Sequence, residues 1–268
     1  MERVPHPHVL LATLALAAGC ADAPRVPDAK RLLGPSTKTL VLEVDYMTGA
    51  EPLTGPLVSG PFRDHGDTWN LVEVNLGALV QRPVVVPHTL AAMQSIGPAT
   101  QETYTPTELR ALAEANADRP LARGESRLHV LFVDGTFADA KGPRPDVLAA
   151  TLRPLAIVAV FVPHVRAAAQ NATGAVRGEI LARYTEQASL IHELGHALGL
   201  VNHEVPLATP HEDVDHRFHC VNRACVMFWL NEGAQELVQF VQTYVDAPDR
   251  IVFDDACLDD VEGLVGAL

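Results

Sequence analysis

Positive charge is scarce in this chain. Its 268 residues carry 20 lysines and arginines against 33 acidic residues, a formal net charge of −13. A surface of that sign repels phosphates and sets nucleic acid aside as a partner. Long apolar runs are scarce too. The one candidate, Val9–Ala18, is too short to cross a bilayer as a helix, and no other segment is long and apolar enough to do so. Cysteine is limited to four residues and no internal repeat is visible. What is plentiful is apolar content, at 48% enough for a packed core and against wholesale disorder, and histidine, at twelve. Six histidines (192, 196, 203, 211, 216 and 219) fall in one short stretch, and metal binding is the leading physical reason for such clustering.

The first residues read as a targeting segment. A short polar start with one basic residue, Arg3, precedes the apolar run, then Ala17-Ala18-Gly19-Cys20. Small residues before a cysteine resemble a bacterial lipobox, although Ala17 stands where Leu is preferred. That resemblance implies a lipid-modified Cys20 and an outer-membrane lipoprotein of the bacterial cell envelope, facing the periplasm or the exterior; an ordinary signal peptide with an incidental cysteine is the alternative. The expected divisions are residues 1–19 as signal peptide, 20–38 as lipidated N-terminus and proline-bearing tether, and 39–268 as one catalytic domain. Membrane contact is expected only through the anchor.

Thr39–Tyr46 is rich in β-formers and predicts a strand. Trp69–Val86 predicts one strand, or two divided by Pro83. Thr105-Pro106-Thr107-Glu108 carries a capping box and a first-turn proline, which opens a helix to about Ala117. Arg127–Val133 and Leu155–Val162 predict strands, the second ended by Pro163, and Glu179–Leu200 predicts a long helix. Strands, a helix, strands and a long helix indicate one α+β domain with a mixed sheet.

On the long helix, Leu190, Leu194, Ala197, Leu198 and Val201 recur at helical spacing. His192 and His196, four apart, project from one face and can share one Zn²⁺. Glu193 lies beside them as a candidate general base. Zinc would lower the pKa of a bound water to about 7. Gly199 allows a sharp turn that returns a downstream ligand to the metal.

The string His192-Glu193-Leu194-Gly195-His196-Ala197-Leu198-Gly199 resembles the metzincin clan of zinc peptidases, in which a third histidine follows the glycine by three residues. Here that position is Asn202, and His203 comes one residue later. His219-Cys220-Val221-Asn222-Arg223-Ala224-Cys225-Val226-Met227 resembles the archaemetzincin family, displaced by an insertion from about Val201 to Phe218. The resemblance covers about 192–229. It implies a metzincin-like domain, with a twisted mixed sheet and a long active-site helix, in which His219 is the third zinc ligand and Met227 the methionine of the turn beneath the metal. His203 stays open as the alternative ligand, with His211, Asp215 and His216 behind it. The insertion's extra His and Asp residues could bind a second ion or form a solvated loop. In archaemetzincins the two cysteines join a downstream pair around a structural zinc. Only Cys257 remains here, so a Cys220–Cys225 disulfide is expected in an oxidising compartment, with a site of three cysteines and one histidine as the alternative.

The expected function is a zinc peptidase, metalloendopeptidase or aminopeptidase, acting on a peptide or protein substrate. Clan resemblance implies that the substrate pairs with an edge strand, expected at Leu155–Val162. The alternative is a non-catalytic zinc-binding or zinc-sensing lipoprotein. Glu193 favours catalysis, because a pure binding site needs no acid/base group beside its ligands.

Overall fold

The computed structural model describes residues 28–57, 66–154, 156–174, 176–245, 247 and 250–267. The apolar run 9–18 and Cys20 lie outside the described residues. Helix α1 (Asp28–Leu33) precedes strand β1 (Thr39–Thr48); α2 (Asn70–Val80), β2 (Val84–Val85), β3 (Gln94–Pro98) and β4 (Thr103–Tyr104) follow. Next come α3 (Pro106–Asn116), β5 (Glu125–Val133), β6 (Thr136–Asp139), β7 (Gly142–Arg144), β8 (Ala149–Leu152) and β9 (Ile157–Phe161). The chain ends in α4 (Val162–Gln170), α5 (Glu179–Ala197), α6 (Ala234–Gln242) and α7 (Asp255–Ala267).

The main sheet is mixed, in the order β2-β1-β5-β9-β8, with β3 also paired to β1. Every pairing is parallel except β8 against β9. Strands β5 and β9 sit in the middle. Their residues Leu128–Val133 and Ile157–Phe161 are buried without alternation, as expected where both faces are covered. Helix α5 packs against β8, β9, α2, α4 and α6. Apart from Glu179 and Ala182 it is buried all round, so it is a core helix and not an amphipathic surface one. The result is a mixed α/β domain with its longest helix in the core.

Several expectations change. Residues 69–86 hold helix α2 and the two-residue β2, not one or two strands. Leu71, Val72, Asn75, Leu76, Leu79 and Val80 are the buried set, which is helical spacing; the β-branched residues there misled by composition. Residues 28–33 do not belong to a tether: α1 buries Ala29, Leu32 and Leu33 completely. Pro163 does not merely end a strand but opens α4, where a first-turn proline costs no hydrogen bond. The strand it follows spans Ile157–Phe161 and is not an edge. It is paired on both sides, by β5 and β8. The edge is β8, and its four residues carried no pattern long enough to mark them. The Thr105 capping box forms as expected, with the Thr105 side chain and Glu108 each bonding the other's backbone.

Candidate active site

Helix α5 ends at Ala197, and the chain reverses at once. Gly199 adopts φ +85°, and the amides of Glu204 and Val205 both donate to its carbonyl at 2.9 Å. A Cβ at Gly199 would also lie 2.9 Å from the Cβ of Glu204. The glycine is therefore required twice, by conformation and by space. From this reversal the chain loops out and returns at His219.

Three imidazoles converge. The Nε2 atoms of His192 and His196 are 3.1 Å apart, and the His219 ring centre lies 5.5 Å and 4.9 Å from theirs. The donor atoms of His192, His196, His219 and Glu232 all lie within 4.8 Å of one another. His203 is not in this group. Its ring stacks on Phe218 at 4.2 Å and sits 6.5 Å from that of His196. His216 is also elsewhere, stacked on Trp229 at 3.7 Å and bonded to Asp213. Asp215 hydrogen-bonds through its backbone to Asp213 and joins no donor cluster among the described residues.

The rings are oriented from behind. Nδ1 of His192 donates to the Val226 carbonyl at 2.7 Å, and Nδ1 of His219 donates to that of Arg217 at 3.1 Å. In neutral rings this leaves the Nε2 lone pairs facing each other, an arrangement that a cation relieves. Burial lowers the His192 pKa to about 4, with the charge of His219 adding to it, and holds His196 well below the ordinary imidazole range. Both are thus neutral, ligand-ready imidazoles at pH 7. A set of three nitrogens and one carboxylate suits Zn²⁺.

Glu193 points to the same side. Burial raises its pKa to about 7, opposed by a hydrogen bond from Thr151. The Thr151 hydroxyl lies 2.6 Å from Oε2 of Glu193 and 2.8 Å from its backbone carbonyl. A base poised near neutrality, fixed by an edge-strand threonine, is suited to proton transfer. Glu193, His196, His219 and Glu232 line a cleft of about 350 Å³ whose wall includes Ala149, Ala150 and Thr151 of β8. Below the helix lies Met227, fully buried. A Cβ on Gly195 would overlap its sulfur, so the turn packs against the helix at the one residue that allows it.

No protein-family model matches the chain, and no curated protein matches it. Among solved structures the chain is similar to a crystal structure of a zinc-dependent peptidase from Methanocorpusculum labreanum. That likeness is 14% in identity, covers 82% of this chain and 99% of the other, and has a TM-score of 0.43. Geometry, not likeness, carries the functional reading of this chain.

The expected Cys220–Cys225 disulfide is absent. Cys220, Cys225 and Cys257 are free and fully buried. Their sulfurs gather with Asp254, all four donor atoms lying within 4.8 Å of one another. Sγ of Cys225 and of Cys257 are 3.7 Å apart, and Nε2 of His211 is 3.7 Å from Cys257 Sγ. Backbone amides of Asn222, Met227 and Asp254 donate to these sulfurs at 3.3–3.4 Å. Hydrogen bonds from Cys225 and Cys257 bring Cys220 down to about 4, while burial pushes Cys225 well above its usual value. Asp254 also serves as the cap of α7, accepting from the Cys257 amide at 3.0 Å. His211, held through Nδ1 by the Thr209 carbonyl, lies beside this group, and its Nε2 also faces Oδ2 of Asp260 at 3.3 Å. The insertion is therefore not simply a solvated loop, because its His211 is buried against the cysteines.

Sequence reasoning missed Thr151, Gly195, Asn231, Glu232 and Asp254. Thr151, Gly195, Glu232 and Asp254 act through contacts distant in sequence that no local pattern announces, and Asn231 through its bonds to the Cys225 and Val226 carbonyls. In a third buried polar group, Glu43, Asp45 and His129, His129 bonds Asp45 at 2.8 Å and Glu43 pairs with Arg127, while Oδ1 of Asp45 has no hydrogen-bond partner among the described residues.

Proposed function

We propose that the protein is a zinc-dependent peptidase. The observation that carries this reading is the convergence of His192, His196 and His219 beside Glu193, in a cleft walled by the free edge of β8. His192, His196 and His219 hold the ion. Zinc supplies a Lewis acid and makes a water acidic enough to act at neutral pH. The outer edge of β8, Ala149–Leu152, pairs with an extended substrate and presents its scissile carbonyl over the site. Glu193 takes a proton from the attacking water and returns it to the departing amine as the C–N bond breaks. Thr151 holds the Glu193 carboxylate in place between those transfers.

A structural ion belongs to the same reading, bound by Cys220, Cys225, Cys257 and His211. A closed thiolate-rich set of this kind suits zinc without an open position. Attachment to the bacterial envelope through a lipidated Cys20 is part of the proposal as well; Cys20→Ser is expected to move the protein into the soluble fraction.

The test compares the zinc-loaded full chain with Glu193→Ala on a peptide library. The wild type is expected to cleave, and the variant to keep its zinc while losing about 10²–10⁴ in rate. A wild type that holds zinc and cleaves nothing would leave the non-catalytic zinc-binding alternative.

A further inference from the structure

A fourth donor stands in the histidine cluster, and the peptidase reading has no use for it as it stands. Glu232 closes a short 3₁₀ turn, Trp229–Glu232. Its Oε1 lies 3.0 Å from Nε2 of His219, the atom expected to face the metal. It shares the 4.8 Å cluster with both helix histidines, whereas Glu193 does not belong to that cluster. The two carboxylates at the site are thus separated in position: one is among the ligand atoms, the other beside them.

The backbone beneath Glu232 is fixed to the metal site itself. Asn231 Nδ2 donates to the carbonyls of Cys225 and Val226 at 3.1 and 3.0 Å. The Val226 carbonyl is the one that orients His192. The Asn231 and Gly233 amides close the turn on Phe228 and Leu230, each at 2.9 Å. A side chain hung on this scaffold is not a loose rim residue. Its outer part is nonetheless free, with 56% of the side chain exposed at the cleft. Charge points the same way. Three neutral imidazoles leave a divalent ion uncompensated in a buried site, and one carboxylate halves that charge.

We infer that Glu232 is a latch: the fourth protein ligand of the catalytic metal in the resting protein, which must swing out before water and substrate reach the ion. This rests on the peptidase reading's zinc site. The resting site is then closed by four protein donors, as structural zinc sites are, and is opened by the peptide that enters along β8.

The test uses the full chain with its cysteine site filled, the histidine site loaded with Co²⁺ or Zn²⁺, and azide as the probe of an open position. Wild type, Glu232→Ala, Glu232→Gln and His219→Ala are compared by cobalt absorption during azide titration, and by zinc competition with a chromophoric chelator. Removing the carboxylate is expected to tighten azide binding and to weaken zinc retention, each by about tenfold or more, in both Glu232 variants. The glutamine variant keeps the shape and guards against a folding defect in the alanine one. Azide and zinc affinities equal to wild type in both variants, with zinc lost in His219→Ala, would overturn the latch and leave the peptidase site standing. Full zinc retention in His219→Ala would overturn the peptidase reading and the latch together.

Discussion

His219 and Cys220 are neighbours in sequence, yet they serve opposite kinds of centre. His219 turns toward the cleft, into a cluster of imidazole nitrogens that includes the carboxylate of the exposed Glu232. Cys220 turns into the core, among sulfurs with no exposure at all. The first cluster keeps lone pairs aimed at a space that solvent and substrate can enter. The second is sealed, and the sulfurs of Cys220 and Cys225 are already hydrogen-bonded by backbone amides. On the proposed reading, one stretch of chain contributes a ligand to a reactive centre and, one residue later, a ligand to the structural centre that holds that residue in position. The difference teaches that access, more than donor type, separates a site that does chemistry from one that holds structure.

The sealed centre carries the largest expected effect. Cys257→Ser should remove one of about two zinc equivalents per chain and cost several kcal/mol of stability, since structural zinc binding is folding free energy. Metal analysis and thermal unfolding with and without chelator check it. A variant with unchanged zinc content and unchanged melting would break the comparison at its root.

At the open centre the expected effect falls on affinity and activity, not on folding. His219→Ala should lose zinc from the cleft and lose peptide cleavage, whereas His203→Ala, which unstacks Phe218, should retain both. The metal-free forms of the two should unfold within about 1 kcal/mol of wild type. Zinc loss in His203→Ala alone would move the third ligand and redraw the open site.

The smallest effect is in protons. At the sealed site Cys225 is pushed well above its usual pKa by burial, and Cys257 is pushed up by its bonds to the other sulfurs. Both hold protons at pH 7 that zinc must displace, about two in all. At the open site His192 and His196 are already neutral, and only His219 is raised: burial alone would lower it, but the bond from Glu232 prevails. Zinc there should release about one proton or fewer. As pH falls by one unit, affinity should drop about a hundredfold at the sealed site and about tenfold at most at the open one. Calorimetric zinc titrations in buffers of different ionisation heat measure both numbers.

Much of this was legible in the sequence, and the limits are physical. The pairing of His192 and His196 reads directly because both residues lie on one helix and local spacing fixes their geometry. The Thr105 capping box reads for the same reason. Helix α2 is hidden by composition, because its β-branched residues suggest a strand although its buried set falls at helical spacing. The identity of the edge strand was missed because edges are a property of the whole sheet, and β8 is only four residues long. His211 and Cys257 lie 46 residues apart, so nothing local could pair them. The oxidising compartment suggests a Cys220–Cys225 disulfide, whereas the fold gathers the three thiols with His211 close by, nearer to the alternative of three cysteines and one histidine.

Gly195 gives the last consequence. A glycine in a helix interior gives up about 1 kcal/mol relative to alanine, and here the space saved is filled by the Met227 sulfur. The residue just before His196 therefore sets how closely the Met227 turn approaches the helix. In this chain a larger side chain at that point would have to push the Met227 sulfur aside. One letter between the glutamate and the second histidine reports a distance that the ligands themselves do not.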